Sequence, residues 1–135
     1  TVSPLISVAK GWGKFHTIAN IGIRIPFDGN KANTIFNGSI HADYEILRGF
    51  APVVEIHGLH YLDNAERTPL DIGGGDYANL GSTDVAGDAL ISLGIGAAFK
   101  LTPNWSLGAT YEFPLTSADD DILQQRVTFA ATFTF

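Results

Sequence analysis

Cysteine is missing from this 135-residue sequence, which removes a disulfide framework, a thiolate metal centre and a cysteine nucleophile from consideration. Basic residues are scarce: eight Lys and Arg stand against fourteen Asp and Glu, for a net charge of −6. A face that neutralises nucleic-acid phosphates is therefore not expected, and no nucleic-acid partner is. No apolar run approaches the ~20 residues of a membrane-spanning helix. That absence excludes an α-helical membrane protein only, because a membrane β-barrel alternates lipid-facing and lumen-facing residues and needs no such run. Nor does the sequence open on a Lys/Arg-led apolar segment with a small-residue cleavage site, so export would imply a leader already removed.

What is present is a period of two. From Arg126 onward, Val127, Phe129, Ala131, Phe133 and Phe135 fall on one face, and Arg126, Thr128, Ala130, Thr132 and Thr134 on the other. Only an extended strand turns that period into two faces. The same pattern recurs upstream. Phe15 to Ile25 alternates with Ile18 as its one exception, and Phe36 to Ile46 sets Ile40, Ala42 and Tyr44 against Ser39, His41 and Asp43. Pro52 to Leu62, Leu90 to Leu101 and Trp105 to Leu115 follow suit, and Pro4 to Trp12 is a weaker strand. Asp-Gly, Gly-Phe and Pro-Asn pairs supply the turns between them. Seven strands of about 9 to 13 residues match the ~9 to 11 that cross a bilayer at a ~45° tilt.

Connection lengths alternate. Gly11 to Gly13, Leu47 to Ala51 and Leu101 to Asn104 are short, whereas Phe27 to Asn33, Asp63 to Asp88 and Thr116 to Ile122 are longer. Short periplasmic turns opposite long extracellular loops are the arrangement of outer-membrane barrels. Aromatics supply two girdles: Phe15, Tyr44, Phe99, Trp105 and Phe135 at the periplasmic ends, Phe36, Phe113 and Tyr61 at the outer ends.

The C-terminal run LQQRVTFAATFTF resembles the last strand of bacterial outer-membrane β-barrels, which typically ends on Phe. That resemblance implies an outer-membrane location and an assembly signal, carried by Phe129, Phe133 and Phe135, for the barrel assembly machinery. Lipid and lipopolysaccharide are then its surroundings. The expected fold is all-β, an antiparallel up-and-down transmembrane β-barrel with about seven strands visible. One β-barrel domain covers 1–135, and 63–88 forms a long extracellular loop. Single-chain bacterial barrels have an even strand number of eight or more, so the sequence reads as the C-terminal part of a larger barrel, or as one completed by another chain. Gly22-Ile23-Arg24-Ile25-Pro26-Phe27, Pro52-Val53-Val54-Glu55-Ile56 and the aromatic C-terminus also resemble MetA-type phenol-degradation transporters. That resemblance implies passage of small hydrophobic or aromatic solutes.

With the apolar faces toward lipid, the ionisable lumen-lining residues are His16, Arg24, His41, Asp43, Glu45, Glu55, His57, Lys100, Glu112 and Arg126. Hairpin pairing places His16 near Glu45, Asn20 near His41, Asp43 near Glu55 and His41 near His57. Such a cluster suits a selectivity ring, a pH-sensitive gate or a polar network that satisfies charges in a narrow barrel. A metal on His41 and His57 is disfavoured, and no cofactor is expected. Ser39, His41 and Asp43 look triad-like, but successive same-face residues on a strand stand ~6.6 Å apart, too far for nucleophile and base to hydrogen-bond, and no enzyme is expected. Asp71, Asp76, Asp84 and Asp88 offer oxygen ligands for Ca²⁺ but match no EF-hand, so a solvated loop is the better reading. Asp119 to Asp121 could touch lipopolysaccharide through divalent ions or keep the surface soluble.

The expected function is an outer-membrane channel or transporter for small solutes. Two alternatives stand beside it: a structural or adhesive barrel whose loops bind a partner, and a soluble lipocalin-like barrel or β-sandwich with its apolar face inward.

Overall fold

A computed structural model describes residues 1–116 and 124–135. Among them are seven strands and no helix: β1 Leu5–Trp12, β2 Phe15–Arg24, β3 Ile35–Tyr44, β4 Phe50–Tyr61, β5 Ala89–Lys100, β6 Trp105–Pro114 and β7 Arg126–Phe133. All seven join in one sheet in chain order, each antiparallel to the next. The weakly patterned first stretch is a full strand, held to β2 from Leu5↔Gly22 to Trp12↔Phe15. Of the expected loop at 116–122, all but its first residue lies outside the described residues, Asp119 to Asp121 included.

Register keeps the period-two faces continuous across the sheet. Ser7 lies across from Asn20, Asn20 from Ser39, Ser39 from His57 and His57 from Ser92, so these polar residues share one face. Ile6, Ile21, Gly38 and Gly58 continue the other. Ile18, the exception in β2, stands on the polar face across from His41.

The polar face is the sheltered one. Glu112 is 4% exposed and Ser92 2%, whereas on the apolar face Ile6 is 68% and Phe129 80% exposed. The sheet curls toward the polar side, so that Asn20 of β2 and Arg126 of β7 line one cavity. Glycine on the concave side permits the curl. A Cβ on Gly96 would stand 2.1 Å from the Ala109 carbonyl oxygen of the neighbouring strand, a separation only a missing side chain allows.

Aromatic residues collect where the short turns are. Trp12, Phe15, Tyr44, Phe50, Phe99, Trp105 and Phe133 place one ring per strand at that end. Trp12 stacks on Phe15 at 5.9 Å, Phe50 meets Phe99 at 4.9 Å and Trp105 meets Phe133 at 5.0 Å. Phe36 and Phe113 lie toward the long-loop end on the apolar face. Tyr61 does not join them: it is 2% exposed, on the polar face, packed with Ile35 and Val85. The expected outer girdle therefore loses Tyr61, because β4 reaches it two residues beyond Leu59 on the inward-facing parity.

The segment from 62 to 88 has no strand, yet it is packed. Val85 and Ala65 are buried, and Asn33 ties the segment to the 25–34 connection. The Asn33 amide donates to the carbonyls of Asp63 and Ser82, at 3.1 and 2.9 Å, and its oxygen accepts the Ser82 N–H at 2.9 Å. Asn79 bonds the Asn33 backbone on both sides. Asn33→Ala strands these buried groups, and an expected loss of about 2 kcal/mol is checked by urea unfolding of the folded protein.

Candidate functional site

Three neighbouring strands bring histidines and carboxylates together on the polar face. His16 Nδ1 lies 2.9 Å from Asp43 Oδ1, and His41 Nε2 lies 3.3 Å from Asp43 Oδ2. The other nitrogen of His41, Nδ1, is 2.7 Å from Glu55 Oε1, and His57 Nε2 is 3.6 Å from Glu55 Oε2. The order is His16, Asp43, His41, Glu55, His57: imidazole and carboxylate alternate from β2 to β4.

Partner choice differs from the hairpin expectation by two residues at each junction. His16 faces Asp43 rather than Glu45, Asn20 faces Ser39 rather than His41, and His41 faces Glu55 rather than His57. Asp43 stands across from Val53 rather than Glu55. The β3–β4 turn supplies part of the reason. Gly49 takes φ +82°, and the N–H groups of Ile46 and Leu47 both point to the Phe50 carbonyl, at 3.1 and 3.4 Å. That is a bulge, which offsets the pairing beyond the turn. A two-residue offset preserves the faces, so every polar residue stays on its side while its neighbour changes. Glu45 falls past the end of β3, where its carboxylate accepts the Gly49 N–H at 2.9 Å.

A second group lies on β5 to β7. Arg126 Nε donates to Glu112 Oε2 at 2.8 Å, and the other oxygen of Glu112 accepts from the Ser92 hydroxyl. Ser92 stands across from His57, so the two groups adjoin. Arg126 also contacts the 62–88 segment: Nη1 is 2.5 Å from Asp76 Oδ2, and the guanidinium sits 5.4 Å from the Tyr77 ring centre. Sequence reasoning missed this contact, since nothing in an aperiodic stretch signals which loop residue turns inward. Arg24 and Lys100 occupy opposite ends of the polar face, and neither forms an ion pair among the described residues.

The Ser39 hydroxyl accepts from Asn20 Nδ2 at 3.0 Å, while both ring nitrogens of His41 face carboxylates. Among the described residues, no three His, Asp or Glu side chains are grouped to hold a metal ion. Of the loop aspartates, Asp76 is committed to Arg126.

Phe129, Phe133 and Phe135 all point away from the polar face or lie beyond it. β7 ends at Phe133, and Phe135 is fully exposed past it. No protein-family model matches the chain, and no curated protein or solved structure is significantly similar to it.

Proposed function

We propose that this sheet is the wall of a transmembrane β-barrel of the bacterial outer membrane that lets small solutes pass along its polar face. The observation that carries the reading is the inversion of the usual burial. Charged and hydroxyl side chains are sheltered on the concave face, while rows of Ile, Val, Leu and Phe stand exposed across all seven strands. A contiguous exposed apolar surface of this extent does not persist in water, and lipid is the solvent that suits it. A lipocalin-like soluble barrel requires the opposite arrangement.

Dimensions and edges agree with that reading. Ten-residue strands such as β2, β3 and β6 rise about 34 Å and, at a ~45° tilt, cover about 24 Å, close to the ~25 Å apolar band of outer-membrane barrels. One aromatic ring per strand at the short-turn end matches an interfacial girdle. Lys10 lies on the apolar face, but near that end, with its ammonium 5.0 Å over the Trp12 ring, in the manner of a residue reaching for the interface. β1 and β7 end the sheet and pair with no further strand among the described residues, so closure calls for additional strands. Phe129, Phe133 and Phe135 then serve as the assembly signal.

Single-channel recording of the full-length protein in a planar bilayer tests the proposal. Stepwise conductance is expected. Charge on the wall of a pore sets its ion preference, so Glu55→Gln, which removes a carboxylate from the polar face, is expected to lower cation over anion conductance. A protein that folds in water and never inserts would refute the membrane reading, and insertion without conductance would leave a structural or adhesive barrel.

A further inference from the structure

The 62–88 segment turns inward over the polar face. Tyr61 accepts the Gly75 N–H at its hydroxyl, at 2.9 Å, and the backbone of Gly73 lies so close that a Cβ there would stand 2.5 Å from the same oxygen. This packing pins the triple-glycine run to the end of β4. Immediately after it, Asp76 and Tyr77 reach Arg126 on β7, so the segment spans the mouth of the curled sheet. Asp76 thereby becomes part of the lining of a cavity whose walls include Asn20, Ser39, His57, Ser92 and Glu112.

The cavity measures about 120 Å³, so the loop residues at its rim take up a large share of its opening. Asn20, Ser39, His57, Ser92 and Glu112 are held by hydrogen bonds or ion pairs within the sheet, whereas the bond Asp76 makes across the opening joins a loop to a strand.

We infer that Asp76 and Tyr77 form a constriction latched to Arg126, which narrows the pathway along the polar face while the latch is closed. The inference rests on the pore reading and names what narrows it. The latch is an ion pair with Asp76 partly exposed, the kind of contact that salt weakens. Arg126 keeps Glu112 when Asp76 lets go, so opening leaves no charge stranded on the strand side.

The test uses full-length protein in liposomes, with swelling in sugars of increasing size read beside small-ion conductance. Asp76→Asn keeps the shape and removes the charge, and Tyr77→Ala removes the ring; neither residue lies in a strand. In the Asp76→Asn/Tyr77→Ala double variant, monosaccharide-driven swelling is expected to rise about fivefold, the population change for a partly exposed ion pair, with small-ion conductance at least retained. High salt should move the wild-type protein in the same direction. Small-ion conductance with an identical sugar cutoff in the wild type and the double variant would overturn the constriction alone. Absence of any conductance in both would overturn the pore reading and the constriction with it.

Discussion

Ile40→Arg is expected to lower the stability of the bilayer-inserted protein by about 2 to 4 kcal/mol, the cost of a cation on the lipid face near the midplane of a membrane barrel. Ile40 stands near the middle of β3, across from Ala19 on one side and Ile56 on the other, and it is 57% exposed. In a water-soluble protein the same substitution at so open a position would change stability by no more than about 0.5 kcal/mol. The two solvents therefore give effects of clearly different size. Equilibrium unfolding in lipid vesicles by urea, monitored through Trp12 and Trp105, reads the difference directly. A control at the polar face, Thr128→Arg, faces the lumen rather than lipid and should cost far less in that medium. Equal, small effects at both positions would remove lipid from the account of the apolar face.

Arg126→Met is expected to cost about 3 kcal/mol, because it leaves the Glu112 carboxylate buried without its cation. The Glu112 side chain is 5% exposed and that of Arg126 22%, so the guanidinium is the charge that offsets the desolvation of this carboxylate. Hydrogen bonding from Ser92 satisfies one carboxylate oxygen but carries no compensating charge. Glu112→Gln in the Arg126→Met background should recover most of the loss, since a neutral amide no longer needs a cation. Urea unfolding of the four proteins of this cycle measures the coupling, and a loss under 1 kcal/mol for Arg126→Met would mean a wide, water-filled polar face around Glu112.

Much of this arrangement is legible in the residues. Alternation in Phe15 to Ile25 or Leu90 to Leu101 is a local property: successive side chains of any strand point to opposite sides, so each residue's face follows from its neighbours. Turn chemistry is local too, which is why Gly13 and Gly49, both with positive φ, fall in the expected short connections. Even Pro4 to Trp12, with its faint alternation, becomes a strand once β2 supplies its partner.

Register is different in kind. Whether His16 meets Asp43 or Glu45 depends on how the 25–34 connection packs, and whether His41 meets Glu55 or His57 depends on a bulge at Ile46 and Leu47. An offset of two leaves every face unchanged, so no pattern along the chain distinguishes the alternatives. Thus seven strands, their two faces, the positions of the short turns and the polar residues that share the concave side all follow from local pattern. Tertiary structure alone decided which histidine pairs with which carboxylate, that Tyr61 turns inward, and that Asp76 closes on Arg126. The physical reason is range: side-chain alternation is set within two residues, whereas Asp76 and Arg126 are fifty apart and meet only because the sheet curls and the segment between β4 and β5 folds over its open end.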